Sequence, residues 1–125
     1  MKRKMLSLGV MILFYAFAGV RHFTHPESYY SMMPPYIPFH SVINYIAGVA
    51  EILFAILLIF PITRKFAATG IMVMLVVYIP THIYMIELAP GVWETWVRLF
   101  VAQPLLLIWA WWHREDRENP KGILV

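Results

Sequence analysis

The sequence predicts an all-α fold, an integral membrane four-helix up-down bundle with kinked third and fourth helices. Three observations predict it. Four apolar runs, at about residues 5–23, 42–60, 66–86 and 92–112, each approach the roughly 20 residues needed to cross a bilayer. Apolar residues make up 61% of the 125 and charged residues only 14%, against about 25% charged in an ordinary soluble domain. The connections between runs two, three and four are short, which makes successive helices antiparallel neighbours. Mean hydropathy is +0.67, and a soluble domain of this size exposes too much surface to hide that much apolar area. A soluble globular enzyme, a disordered chain and a nucleic-acid binder are thereby excluded, and residues 1–125 read as one transmembrane domain.

Run one follows Lys2, Arg3 and Lys4. A basic start, an apolar centre and Ala16-Phe17-Ala18 imitate a signal peptide with its cleavage site. The apolar run continues past that site, so a retained helix is expected. Residues 24–41 read as an outer Pro-rich loop. Pro34, Pro35 and Pro38 remove backbone donors and forbid regular helix. Tyr29, Tyr30, Tyr36 and Phe39 give the loop the composition of a segment lying at headgroup level or folded over the mouth of the bundle.

Run two ends at Pro61, and Arg64-Lys65 reads as the turn into run three. Ala89-Pro90-Gly91 breaks the chain after run three. Pro80 and Pro104 kink runs three and four, each freeing a carbonyl (Val76 and Phe100) that a neighbour or water must satisfy. Run four closes on Trp109, Trp111 and Trp112, an interfacial belt. Residues 113–125 read as a charged cytoplasmic tail.

The net charge is +3, and its distribution reads as topology. Lys2, Arg3, Lys4, Arg64, Lys65, Arg114, Arg117 and Lys121 fall on one side of a four-span chain, and only Arg21 and Arg98 on the other. The positive-inside rule then places both termini in the cytoplasm of a cell whose inner membrane holds the protein. The sequence contains no cysteine, which excludes disulfides, thiolate metal sites and a CxxC relay within this chain.

Polar groups at bilayer depth need a reason, because a charge at the centre of a span costs roughly 2.5–3.5 kcal/mol on insertion scales. His22 lies at the outer end of run one. Asn44 enters run two and Glu51 lies near its middle. Tyr78 and His82 lie in the outer part of run three, and Arg98 and Gln103 in run four. Helical phase groups Asn44, Ala47, Gly48 and Glu51 on one face, and Tyr15, Gly19 and His22 on another. Gly70, Met74, Val77 or Tyr78, and Thr81 continue the pattern. Small residues let helices approach closely while polar ones face partners across the interface.

These positions predict a polar pocket opening outward under the Pro-rich loop. Glu51 is its deepest acid, Arg98 the counter-charge, and His22 and His82 are flanking groups that titrate near neutrality. Blander readings compete with this. Glu51 and Arg98 would pair only to fix helix register, Arg98 would pair with Glu94 one turn away, and His22 would cap the end of its helix. His25 and His40 read as exposed loop residues. No metal site is expected, and haem ligation by two histidines lacks a further ligand shell.

Five stretches resemble the DoxX-like family of small four-helix membrane proteins: Ala18-Gly19-Val20-Arg21-His22-Phe23, Met33-Pro34-Pro35-Tyr36-Ile37-Pro38, Gly48-Val49-Ala50-Glu51-Ile52-Leu53, Thr81-His82-Ile83-Tyr84-Met85, and Val97-Arg98-Leu99-Phe100-Val101-Ala102-Gln103-Pro104. They occur in family order over nearly the whole chain, although no single one is specific. The resemblance implies His22, Glu51, His82, Arg98 and Gln103 as site residues. It implies subunits of quinone-reducing complexes, partners in redox-stress complexes, or assembly chaperones. Members relying on thiols are a poor guide to a chain without cysteine.

Three functions are therefore expected to compete. The first is an accessory redox subunit that binds a quinone or another lipophilic small molecule; the chain carries no flavin, nicotinamide or iron–sulfur motif of its own. The second is a non-enzymatic assembly factor docking on a membrane protein partner or on a second copy of itself. The third is a lipid or sterol isomerase with Glu51 and a histidine as proton shuttle. A transporter would be expected to show repeat symmetry, and none is visible.

Overall fold

The structure is a computed structural model that describes residues 2–114, and within them all regular structure is helical. The expected tail lies mostly outside the described residues. α1 spans Lys2–Thr24, α2 Pro26–Tyr30, α3 His40–Ile59, α4 Pro61–Val77, α5 Ile79–Leu88, α6 Trp93–Val97 and α7 Gln103–Arg114, with a π-helical turn over Arg98–Ala102 between the last two. Among the described residues three stretches are long and apolar enough to cross a membrane: Lys2–Thr24, His40–Ile59 and Pro61–Leu88, the last being α4 and α5 together. The fourth apolar run is interrupted by the π turn.

α1 packs along α3 through two glycines. A Cβ on Gly48 would stand 2.7 Å from His22 Cβ, and one on Gly19 would stand 2.9 Å from the Gly48 carbonyl oxygen. Only hydrogen at both positions lets the helices meet this closely. Buried positions on α1 are Leu8, Met11, Tyr15, Gly19 and His22, and on α3 Asn44, Gly48, Glu51, Ala55 and Leu58. Both sets follow a single helical stripe, apolar at one end and polar at the other.

α3 turns into α4 through Phe60 alone, with Pro61 opening α4. Proline suits a first helical position because its fixed φ is already helical. Arg64 and Lys65 are therefore not the turn that the sequence suggested but part of α4. Arg64 Nε donates to the Leu58 carbonyl at 3.0 Å and Thr63 Oγ1 to that of Leu57 at 2.7 Å, satisfying the carbonyls that end α3. The buried stripe of α4 is Ala67, Ala68, Ile71 and Leu75. It is offset from the expected Gly70–Met74 line, although Gly70 does meet the Phe54 ring of α3.

α4 also packs against α7. At the end away from the 26–39 loop, Trp109 Nε1 donates to Ser7 Oγ at 2.8 Å, and Ser7 Oγ lies 3.0 Å from His113 Nε2. His113 is fully buried in the last turn of α7 rather than opening a tail. The apolar core, with Met11, Leu58, Ile71 and Ala110, fills this same end.

Both predicted kinks are present as helix breaks. Tyr78 separates α4 from α5, with Pro80 in the first turn of α5. Before Pro104, the Gln103 amide donates to the Arg98 carbonyl five residues back, which is π-helical bonding. Beyond these breaks, α5, α6 and the π turn pack on one another, joined by a turn in which Trp96 Nε1 donates to the Pro90 carbonyl. Of the predicted loop, residues 25–39 are irregular apart from α2, while Thr24 still belongs to α1 and α3 already begins at His40.

Candidate functional site

The helix directions bring three side chains to one point. Side chains lean toward the N-terminus of their own helix. His22 and Tyr78, on helices running toward the loop end, lean away from that end, and Glu51 on antiparallel α3 leans toward it. They converge: Tyr78 Oη donates to Glu51 Oε1 at 2.9 Å, and His22 Nε2 lies 3.5 Å from Glu51 Oε2. Glu51 is only 4% exposed and His22 5%.

Asn44 fixes the tautomer of His22. Its Nδ2 donates to the His22 carbonyl at 2.8 Å, which turns Oδ1 toward His22 Nδ1 at 2.7 Å. An amide oxygen only accepts, so Nδ1 carries a proton. Nε2 is the nitrogen left to exchange a proton with Glu51. A metal at Nε2 would need further ligands beside it. Among the described residues no group of three or more His, Cys, Asp or Glu gathers that could hold one.

The loop covers this cluster. The Tyr29 ring of α2 stacks on His22 at 3.8 Å, with 14° between planes. His40 Nε2 donates to the Pro34 carbonyl at 3.1 Å and anchors the loop to the start of α3. Burial raises the pKa of the Tyr29 phenol above its usual value; Glu51 adds to the rise and Arg21 opposes it.

The seven residues singled out from sequence divide. Glu51, His22, Asn44 and Tyr78 form the cluster. Arg98 does not join it: it is exposed, and its Nη1 approaches the Met85 sulfur at 3.9 Å. The expected Glu51–Arg98 pair is not formed, because the π turn and the break at Tyr78 carry α6 and α5 together and leave Arg98 packed on α5. His82 is half-buried on α5 and Gln103 is 5% exposed at the start of α7. Sequence reasoning misses Tyr29, which falls in a proline-rich stretch without helical period, and undervalues Tyr15. Tyr15 sits on the face of His22, 3% exposed, within electrostatic reach of Glu51.

Buried atoms without a hydrogen-bond partner among the described residues include Tyr15 Oη, Glu51 Oε2, His82 Nδ1 and Gln103 Oε1. They come from α1, α3, α5 and α7. Buried polar groups are ordinarily satisfied, and of these atoms Glu51 Oε2 is the one that belongs to the cluster.

Three membrane-length apolar stretches with a buried acid–imidazole–phenol cluster among them give the chain the character of a small membrane protein. Over residues 11–114 the chain matches the family described as a domain of unknown function, DUF8561, and belongs to it. Neither a curated protein nor a solved structure matches the chain.

Proposed function

We propose that this chain is a DoxX-like multi-pass membrane protein, a four-helix bundle with both termini cytoplasmic. In this reading its polar site binds a lipophilic small molecule, a quinone first among them, in an accessory redox role. The observation that carries the reading is Glu51: an acid in the middle of a membrane-length helix, 4% exposed, with one oxygen engaged by Tyr78 and the other unpartnered except for the His22 ring. Membrane interiors hold such groups rarely, and mostly for substrate or proton handling. His22 and Glu51 together hold an exchangeable proton, which a quinone head group would need. The orientation is supported by the gathering of Lys2, Arg3, Lys4, Arg64, Lys65 and Arg114 at one end of the helices. The resemblance of the Gly48–Leu53 and Ala18–Phe23 stretches to DoxX-like proteins supports the class.

Extraction of the protein from its native membranes, followed by mass analysis of co-purified lipophiles, tests this. A quinone or similar prenylated ring retained by the wild type and lost from Glu51→Leu supports the reading. No lipophile beyond bulk phospholipid opposes it.

A second reading, an assembly factor, is favoured by Arg98. An exposed guanidinium within the fourth apolar run, flanked by exposed Trp93, Trp96 and Phe100, would suit a carboxylate on a partner helix. Under that reading Arg98→Gln abolishes partner co-purification while Glu51→Gln does not.

A further inference from the structure

The polar cluster is shut on most sides. Tyr29 lies over His22 at the loop end, and Met11, Leu58 and Ile71, all fully buried, plug the opposite end. The α1–α3 seam is closed at Gly19 and Gly48, and the α3–α4 seam at Gly70 against Phe54. The remaining side lies at Tyr78, which bonds Glu51 and leads into α5, and α5 packs with α6 and the π turn. α5 has ten residues, and α6 and the π turn five each, so the two limbs match in length. Neither α5 nor the π turn holds a fully buried residue, and α6 holds only Thr95. These segments pack on one another and make no extensive backbone contact with α1 or α3. Both limbs join the rest of the chain at breaks next to proline, Tyr78–Pro80 and Gln103–Pro104, where regular helical bonding is interrupted. The residues at those breaks are Tyr78, which bonds Glu51, and Gln103, whose Oε1 is buried without a partner.

Resting on the reading of the cluster as a ligand site, we infer that the α5–α6–π-turn hairpin is a side door, hinged at Tyr78–Pro80 and Gln103–Pro104, that admits an uncharged, lipid-soluble molecule from the hydrocarbon. Entry through this side passes only through lipid, so the ligand partitions into the bilayer. Its head is uncharged because the site has no charge to spare. Glu51 and His22 compensate each other, Tyr15 is neutral, and Arg98 is exposed with its guanidinium on the Met85 sulfur rather than on Glu51. A charged head would lose its hydration with no counter-charge to replace it. When the head arrives it finds an acceptor at Glu51 Oε2, and pulling on Glu51 acts through its bond from Tyr78 on the first hinge.

Spin-label distance measurements on the full chain in phosphatidylcholine vesicles test this, and the absence of cysteine leaves the background clean. Labels at Val20→Cys and Ile83→Cys, both exposed, span α1 and the hairpin. A control pair at Leu6→Cys and Ile108→Cys spans the end tied by Ser7 and Trp109. The Val20/Ile83 distribution is expected to be at least about twice as broad as the control and to collapse to one narrow distance with decyl-hydroquinone. It should not respond to decyl sulfate, which has the same tail and a charged head. In Pro80→Ala/Pro104→Ala the distribution is expected to narrow without any probe. A Val20/Ile83 distribution as narrow as the control, in protein whose tryptophan fluorescence decyl-hydroquinone still quenches saturably, overturns the door and leaves the site. An equal response to decyl sulfate overturns the uncharged class. No quenching by decyl-hydroquinone removes the site and the door together.

Discussion

His22 Nε2 faces Glu51 Oε2 at 3.5 Å while Asn44 holds the opposite ring nitrogen at 2.7 Å. The contact depends on backbone placement more than on mutual attraction. Gly19 and Gly48 let α1 and α3 cross, and the crossing sets His22 above Glu51. An attractive pair alone would not hold such geometry, because removing two polar groups from water costs as much as their attraction returns.

Asn44 tests that arrangement first. Asn44→Ala removes both bonds to His22, and interhelical hydrogen bonds in membranes are worth about 0.6–2 kcal/mol each. A destabilisation of about 1–3 kcal/mol is expected in reversible unfolding in mixed micelles. A change below about 0.5 kcal/mol would mean that the side chain does not hold the ring.

Glycine substitutions separate close packing from composition. Gly48→Val puts carbon where His22 and Phe23 already stand, under 3 Å from a Cβ, and overpacking of this kind costs about 1–3 kcal/mol. A Cβ on Gly9 would meet nothing within 4 Å, so Gly9→Ala is expected to be neutral or slightly stabilising, since alanine is the better helix former. Equal effects at the two sites, read by the same unfolding assay, would contradict the crossing.

Arg98→Gln separates the two placements of that arginine. With an exposed side chain touching Met85 only through sulfur, its loss is expected to change stability by less than about 0.5 kcal/mol and to leave decyl-hydroquinone binding unaltered. A guanidinium buried against Glu51 would instead cost several kcal/mol on removal, by leaving a buried charge uncompensated.

Tyr29 gives the loop a pH dependence. Its folded-state pKa is raised, chiefly by burial, so the folded form holds the phenolic proton more tightly than the open loop does. Stability from this group is complete below about pH 10, the ordinary tyrosine value, and is lost as pH rises through the higher folded value. Protease cutting within residues 26–39 is expected to increase only in that alkaline range. In Tyr29→Phe the alkaline increase should be absent.

Much of this is legible in sequence and some is not. The stripes Tyr15–Gly19–His22 and Asn44–Gly48–Glu51 are visible because helical period and residue size act locally. Proline positions announce the breaks at Tyr78 and ahead of Pro104. What a break does to direction is a tertiary matter: the π turn before Pro104 adds a residue to the turn and rotates the positions before it, which sends Arg98 to α5. Tyr29 is hidden because stacking on His22 comes from the path of a proline-rich loop, which has no period to read. His113 looks like the start of a charged tail because its partner, Ser7, lies at the other end of the chain.

The central claim is that Glu51 belongs to a ligand site rather than to a structural pair. It is tested most directly by titrating decyl-hydroquinone into the protein in phosphatidylcholine nanodiscs, following tryptophan fluorescence, in wild type and in Glu51→Gln. The substitution keeps size and the bond from Tyr78 while removing the carboxyl group. Hydrogen bonds to a charged group are worth about 1.5–3 kcal/mol, so saturable binding in the wild type should weaken by about tenfold or more in the variant. Saturable binding of equal strength in both proteins, or none in either, would contradict the account.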